Sequence, residues 1–264
     1  MSETKKKIKL SVISSLHYFK LFFRSCLFVA ALVLYMINRD EIDAPFGDGA
    51  RMPFILGFIW IVFAVEMVLR MFPSKLESMG CQKQFKRNYK PTKEGAKPVN
   101  QSGIVTFAVF AAWVALNAMI GILYYAHIID EGILLLVALF YSVCDMICIL
   151  FFCPFQTWFM KNRCCASCRI YNWDYAMMFT PFFFVPHTYT WSLLGLALIL
   201  LVIWEISYKL HPERFSEYSN SCLSCANCKE KLCHHKTQLR VFWKKNKKRV
   251  LLKGNEIINE LKKK

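Results

Sequence analysis

Stretches long enough to cross a bilayer, and nearly free of charge, alternate along this chain with connectors crowded with lysine and arginine. A helical crossing of the hydrocarbon core takes roughly 20 mostly apolar residues at about 1.5 Å rise each. Stretches of this kind lie at 16–37, 53–72, 104–126, 132–152, 172–187 and 190–208. The 264 residues are 56% hydrophobic and carry a net charge of +16, with a mean hydropathy of +0.32. A soluble domain of this size keeps its exterior polar and has no use for so much apolar surface. High hydrophobicity and high positive charge coexist here because they are segregated. The expected fold is an all-α polytopic membrane protein of about six transmembrane helices, and the basic charge marks topology, with no nucleic-acid partner.

Topology follows from where the positive charge falls. Lys5, Lys6 and Lys7 precede an apolar run, as in a signal peptide, but no small-residue cleavage site follows Tyr35–Ile37, so the run reads as an uncleaved first helix. The N-terminus, the Lys75–Lys97 connector, the Lys161–Arg169 connector and the C-terminal tail are basic, whereas the Asn38–Arg51 loop carries Asp40, Glu41, Asp43 and Asp48. Basic loops stay on the cytoplasmic side. An even number of crossings must therefore separate Arg169 from Lys209. Residues 172–187, interrupted by Pro181, are expected to supply a kinked fifth span, since a re-entrant segment followed by one span breaks the parity. The protein is thus placed in the cell (inner) membrane with both termini cytoplasmic. The connector Pro73–Gln101, with Lys90-Pro91, Gly95 and Lys97-Pro98, reads as a solvated loop with no fold of its own. Residues 236–264 are intensely basic and place Val250, Leu251, Ile257, Ile258 and Leu261 near one helical face. That tail either lies on anionic lipid or is a solvated end.

Twelve cysteines need a reason. Cys26, Cys81, Cys144 and Cys148 are scattered and read as packing. The other eight are grouped: Cys153 before Pro154, then Cys164, Cys165 and Cys168 within the loop 153–171, then Cys222, Cys225, Cys228 and Cys233 within the segment 209–235, the last followed by His234 and His235. All eight fall on the cytoplasmic side, where thiols are kept reduced, so structural disulfides explain them poorly. Thiolates two residues apart converge on one centre through a tight turn, which makes a cytoplasmic Cys-rich metal-binding cap the expected use.

The Cys222-x2-Cys225-x2-Cys228 run resembles the three-ligand stretch of bacterial ferredoxins, whose remaining ligand is a distant Cys-Pro. The resemblance covers about a dozen residues and implies three corners of a [4Fe–4S] cluster, with Cys153-Pro154 the candidate remote ligand. It fails at Cys233, which follows after four residues and lacks the proline. The remaining cysteines would complete that cluster and hold a second. Zinc is the alternative: two tetrahedral sites such as Cys165 and Cys168 with Cys222 and Cys225, with His234 and His235 also available. Three evenly spaced cysteines overfill a zinc knuckle, and the Cys164-Cys165 doublet is likewise surplus to it. A metal-free redox or regulatory thiol cluster is the third possibility.

Ionisable residues recur at one depth. Lys20, Arg24, Glu66, Asp145, Asp174 and Glu205 all fall in the cytoplasmic half of their spans, where a charge is costly unless paired or wet. Glu66, Asp145, Asp174 and Arg24 are the candidates for a polar pocket beneath the cap, serving a proton path or a quinone headgroup. The competing account is a set of ion pairs that fix helix register. His127 and His187, at the outer ends of spans, are candidate haem or quinone ligands but fit ordinary interface positions better. No hydrolase triad and no phosphate-cradling glycine loop occurs. The expectation is a membrane-bound electron-transfer protein with one or two [4Fe–4S] clusters, passing electrons between a cytoplasmic donor protein and a quinone or membrane partner. The alternatives are a transporter or scaffold with a structural zinc cap, and a metal sensor or carrier.

Overall fold

The structure, a computed structural model, describes residues 12–37, 53–73, 79–92, 97–98, 102–162 and 165–224. Among these residues the regular structure is helical, apart from one isolated bridge between Pro91 and Asn220. The long helices are α1 (Val12–Ile37), α2 (Pro53–Met71), α4 (Gly103–Tyr125), α5 (Glu131–Leu150) and α7 (Thr188–Leu210). Short ones are α3 (Met79–Gln84) and α6 (Asp174–Met178). Residues 15–37 of α1, with α4, α5 and α7, are long and apolar enough to cross a membrane. The 19 residues of α2 are apolar apart from Glu66 and Arg70. The outward faces carry Phe19, Phe22, Phe107, Trp191 and Ile203, a surface that suits lipid and not water.

Contacts along the helices set their directions. Helices α1 and α5 run antiparallel: Tyr18 meets Phe151 at one end, Phe28 meets Phe140 midway, and the Tyr35 hydroxyl donates to Asp130 at the other, at 2.6 Å. Helices α2 and α7 run parallel, joined near their starts where Trp60 Nε1 donates to Ser192 Oγ at 2.8 Å. The core between them packs Phe63, Met67, Phe179, Leu200 and Trp204.

Residues 169–187 form no single helix. They wind as a 3-10 turn (Arg169–Trp173), α6, and a second 3-10 turn (Thr180–Phe184). Pro181 sits at the start of that second turn, lacking the N–H that a continuing helix would need. The segment nonetheless travels the length of the bundle. Its beginning is held at the end of α7, where Trp173 Nε1 donates to Glu205 at 2.7 Å and Arg169 pairs with the same carboxylate. Its finish reaches the C-terminal end of α4, where the Phe184 ring lies over Gly121 and meets Tyr125, and the His187 ring faces Glu131 at 3.5 Å. A side chain at Gly121 would collide with that ring, its Cβ 2.3 Å from the nearest ring carbon.

The three connectors 72–102, 151–173 and 211–224 therefore meet at one end, and their described parts fold together as a cap. This corrects the expectation that Pro73–Gln101 has no fold of its own. Helix α3 buries Cys81 and Gln84 completely, because this connector must seal the bundle's end. Gln84 Nε2 donates to the Ala166 carbonyl at 2.6 Å, and Gln84 Oε1 accepts from Asn172 Nδ2 at 2.9 Å. Asn220 Nδ2 donates to the carbonyls of Lys83 and Arg214, and Ser221 N donates to that of Lys90. The acidic loop and the basic tail lie outside the described residues.

Helix α4 stops at His127, whose φ of 56° is left-handed. His127 N donates to Tyr124 O at 2.9 Å and Ile128 N to Leu123 O at 3.0 Å, the paired closing bonds of a Schellman motif. Glycine usually fills that position because a Cβ is penalised there. His127→Gly is expected to raise stability by about 1 kcal/mol in denaturant titrations of the detergent-solubilised protein. A loss of stability would show that the imidazole itself is needed.

Candidate functional site

Three of the four expected pocket residues come together around one guanidinium. Arg24 on α1 donates Nη2 to Glu66 Oε2 on α2 at 2.8 Å, and Nη1 to Asp145 Oδ2 on α5 at 3.1 Å. Nη1 also reaches the Ser142 carbonyl at 3.1 Å. The guanidinium is 3% exposed and lies over the Phe63 ring at 5.3 Å. Lys20, one turn before Arg24 on the same face, approaches the other oxygen of Glu66 at 3.2 Å. The Tyr175 hydroxyl donates to Glu66 at 2.8 Å.

The fourth residue, Asp174, belongs to a second clamp. It pairs with Arg70 on α2, which is buried and packs over the rings of Tyr171 and Tyr175 at 5.6 and 5.1 Å. Sequence reasoning left Arg70 and Tyr175 out of the pocket. The signal for Arg70 was its position four residues after Glu66, which puts both on one helical face. Nothing local marks Tyr175, since only the path of the broken segment brings it under Glu66. The cations Lys20, Arg24 and Arg70 balance the carboxylates Glu66, Asp145 and Asp174, so the cluster is electroneutral. Glu205 stands apart at the cap, held by Arg169 and Trp173.

Above the clamps lies a cavity of about 230 Å³ between α4, α5, α6 and the connector 151–173. Asp145 and Asp174 line it, with Cys144, Cys148, Cys153, Cys165 and Cys168. Cys144 and Cys148, read from the sequence as packing, stand four residues apart on α5 and line this space. The rest of the wall is mostly aromatic: Trp113, Phe140, Tyr141, Phe155 and Tyr171. Trp113 and Tyr141 pack with ring centroids 4.8 Å apart.

The thiols differ in their partners. Cys165 Sγ donates to Gln156 Oε1 at 2.9 Å, and the Gln156 backbone N–H donates to Cys153 Sγ at 3.4 Å. Burial pushes the Cys168 thiol up to about 12, so without a ligand it keeps its proton at neutral pH. Cys222 is in the cap but turns elsewhere, donating to the Asn88 carbonyl at 3.1 Å. Cys164, Cys225, Cys228 and Cys233 lie outside the described residues, as do His234 and His235. Among the described residues no three metal-binding side chains are gathered closely enough to hold an ion. His127 and His187 serve locally, the first as the terminator of α4 and the second against Glu131.

Removing the arginine would take from Asp145 the cation it bonds and leave Glu66 with Lys20 and the Tyr175 hydroxyl, in an apolar bundle. Arg24→Met is expected to destabilise the detergent-solubilised protein by about 3–5 kcal/mol, and adding Glu66→Gln with Asp145→Asn should recover much of that loss. Equal instability of the single and triple variants would mean the arginine's packing, and not its charge, holds the helices. Comparison of the chain with protein-family models, curated proteins and solved structures gives no match.

Proposed function

We propose that this chain is a membrane-bound redox protein that carries electrons between a cytoplasmic donor protein and a quinone or membrane partner, using cysteines at the inner end of a six-crossing bundle. In this reading α1, α2, α4, α5 and α7 each cross, and residues 169–187 make the remaining crossing by their broken path. The capped end, with the basic connectors, faces the cytoplasm by the positive-inside rule. The membrane is then the cell (inner) membrane, with both termini cytoplasmic.

The observation that carries the proposal is five cysteine side chains and two carboxylates around one aromatic-walled cavity. Thiolates are the donor set that iron–sulfur clusters take, so the chemistry of the cap fits one or two [4Fe–4S] groups. Cys165, Cys168 and Cys222, with Cys164, Cys225, Cys228 and Cys233, form the ligand pool. Cys153, the expected remote ligand, has a nearer partner in Cys148, with which it shares a hydrogen bond. A bound cluster supplies one-electron chemistry at the inner face. The chain's own part is to exclude water through the aromatic wall and to hold Asp145 and Asp174 against their arginines at the edge of the cavity.

A structural zinc cap is the weaker alternative. The described cap is already fixed by Gln84, Asn172 and Asn220, which leaves a metal staple little to hold. Anaerobic purification followed by iron, labile sulfide and zinc quantification, with EPR of the reduced protein, tests the choice. Iron with matching sulfide, lost in Cys225→Ser, is the expected result. Stoichiometric zinc in a colourless protein would refute the cluster.

A further inference from the structure

We propose that Cys148 and Cys153 are a dithiol–disulfide couple that gives two electrons to a quinone-class ring bound in the adjacent cavity. The proposal deepens the redox reading above and rests on it for its direction, toward a lipid-soluble acceptor.

The couple is built by the end of α5. Cys148 stands on the last turn, the helix closes at Leu150, and the chain bends at Phe151, where the backbone leaves helical geometry at φ −117° and ψ −65°. That bend returns Cys153 to the same cavity, where the two thiols are joined by a hydrogen bond. A disulfide forms where two cysteines on neighbouring backbone turn their sulfurs toward one another, as these two do across the bend. Pro154 and the π-helical turn Phe155–Phe159 set Cys153 in place, and the Gln156 N–H donates to its sulfur.

The cavity beside them suits one flat ring. Its volume of about 230 Å³ is several times the roughly 30 Å³ that a water molecule occupies. Trp113, Tyr141 and Phe155 present ring faces and edges, and Tyr141 also carries a hydroxyl. Phe140 on the same wall is half exposed on the lipid-facing side of α5, which places an entry at the bundle surface and not through the cap.

The step balances. The two S–H bonds break and one S–S bond forms, releasing two electrons and two protons. The ring takes both electrons, and its two oxygens take both protons to give the quinol. Asp145, which lines the cavity, is the carboxylate placed to pass protons between the two. The dithiol is oxidised, the quinone is reduced, and no other reactant is needed for a single turnover.

The full-length protein, reduced in nanodiscs and freed of reductant under anaerobic conditions, is mixed with a short-chain benzoquinone. Quinol is measured, and cysteines are mapped by differential alkylation and mass spectrometry, with iron and sulfide quantified on the same sample. The expected result is about one quinol per chain from the dithiol, as its two-electron couple requires. A Cys148–Cys153 crosslink should accompany it. Both should vanish in Cys148→Ala and Cys153→Ser and persist in Cys26→Ser, whose native thiol is exposed on α1. Wild-type mapping decides the matter even if a variant fails to fold. No quinol, a link between other cysteines, or quinol formed while Cys148 and Cys153 stay alkylatable overturns the proposal. Iron without the crosslink removes this couple and leaves the cluster reading standing; the crosslink without iron does the reverse.

Discussion

A guanidinium in the apolar interior must find negative charge, and the arrangement of this bundle follows from how Arg24 finds it. Its two terminal nitrogens face carboxylates from different helices, Glu66 on α2 and Asp145 on α5, while its own helix supplies Lys20 to the remaining oxygen of Glu66. One side chain thereby fixes the rotation and depth of α1, α2 and α5 together. Burying charges is expensive, and their mutual attraction offsets that cost only when geometry is good and nothing is left unpaired. The pairing of Arg70 with Asp174 extends the balance to three cations against three carboxylates. A cluster with no net charge works chiefly as a lock. Among its members, Asp145 and Asp174 also line the cavity.

The broken segment 169–187 gives the lock its lid. A straight helix there would present one continuous face, but two 3-10 turns around α6 let the chain place Trp173 and Arg169 on Glu205, Tyr175 under Glu66, and Phe184 over Gly121. Aromatic residues make this possible. They fill the irregular space beside an interrupted backbone, as Phe63, Phe179 and Phe182 do in the core. The same irregularity opens the cavity above the clamps.

Lipid-facing helices, buried charges and a thiol-rich cap meet at that cavity, which is the physical basis for reading it as redox-active. Sulfur is polarisable, transfers electrons readily and tolerates an apolar wall. Separately, each feature has an ordinary packing explanation. Combined at one end of the bundle, they are the observations on which the redox proposal rests.

Much of the molecule was legible from the order of residues. Hydrophobic length sets helix existence because hydrocarbon forces the backbone to bond within itself. The shared depth of Arg24, Glu66 and Asp145 foretold their meeting, since rise per residue converts position into height. Depth says nothing about angle, however, so the partner of Asp174 and the approach of Tyr175 depended on helix rotation and on the path past Pro181. The connector Pro73–Gln101 misled for a related reason. Its lysines and prolines describe its exposed side, whereas Cys81, Gln84 and Asn88 find their partners more than 80 residues away. Cys144 and Cys148 likewise read as filler until α5 turned them toward Cys153. Composition and spacing determined which elements exist; only the tertiary structure decided which side chains share a space, because contacts between distant segments depend on how packed helices rotate.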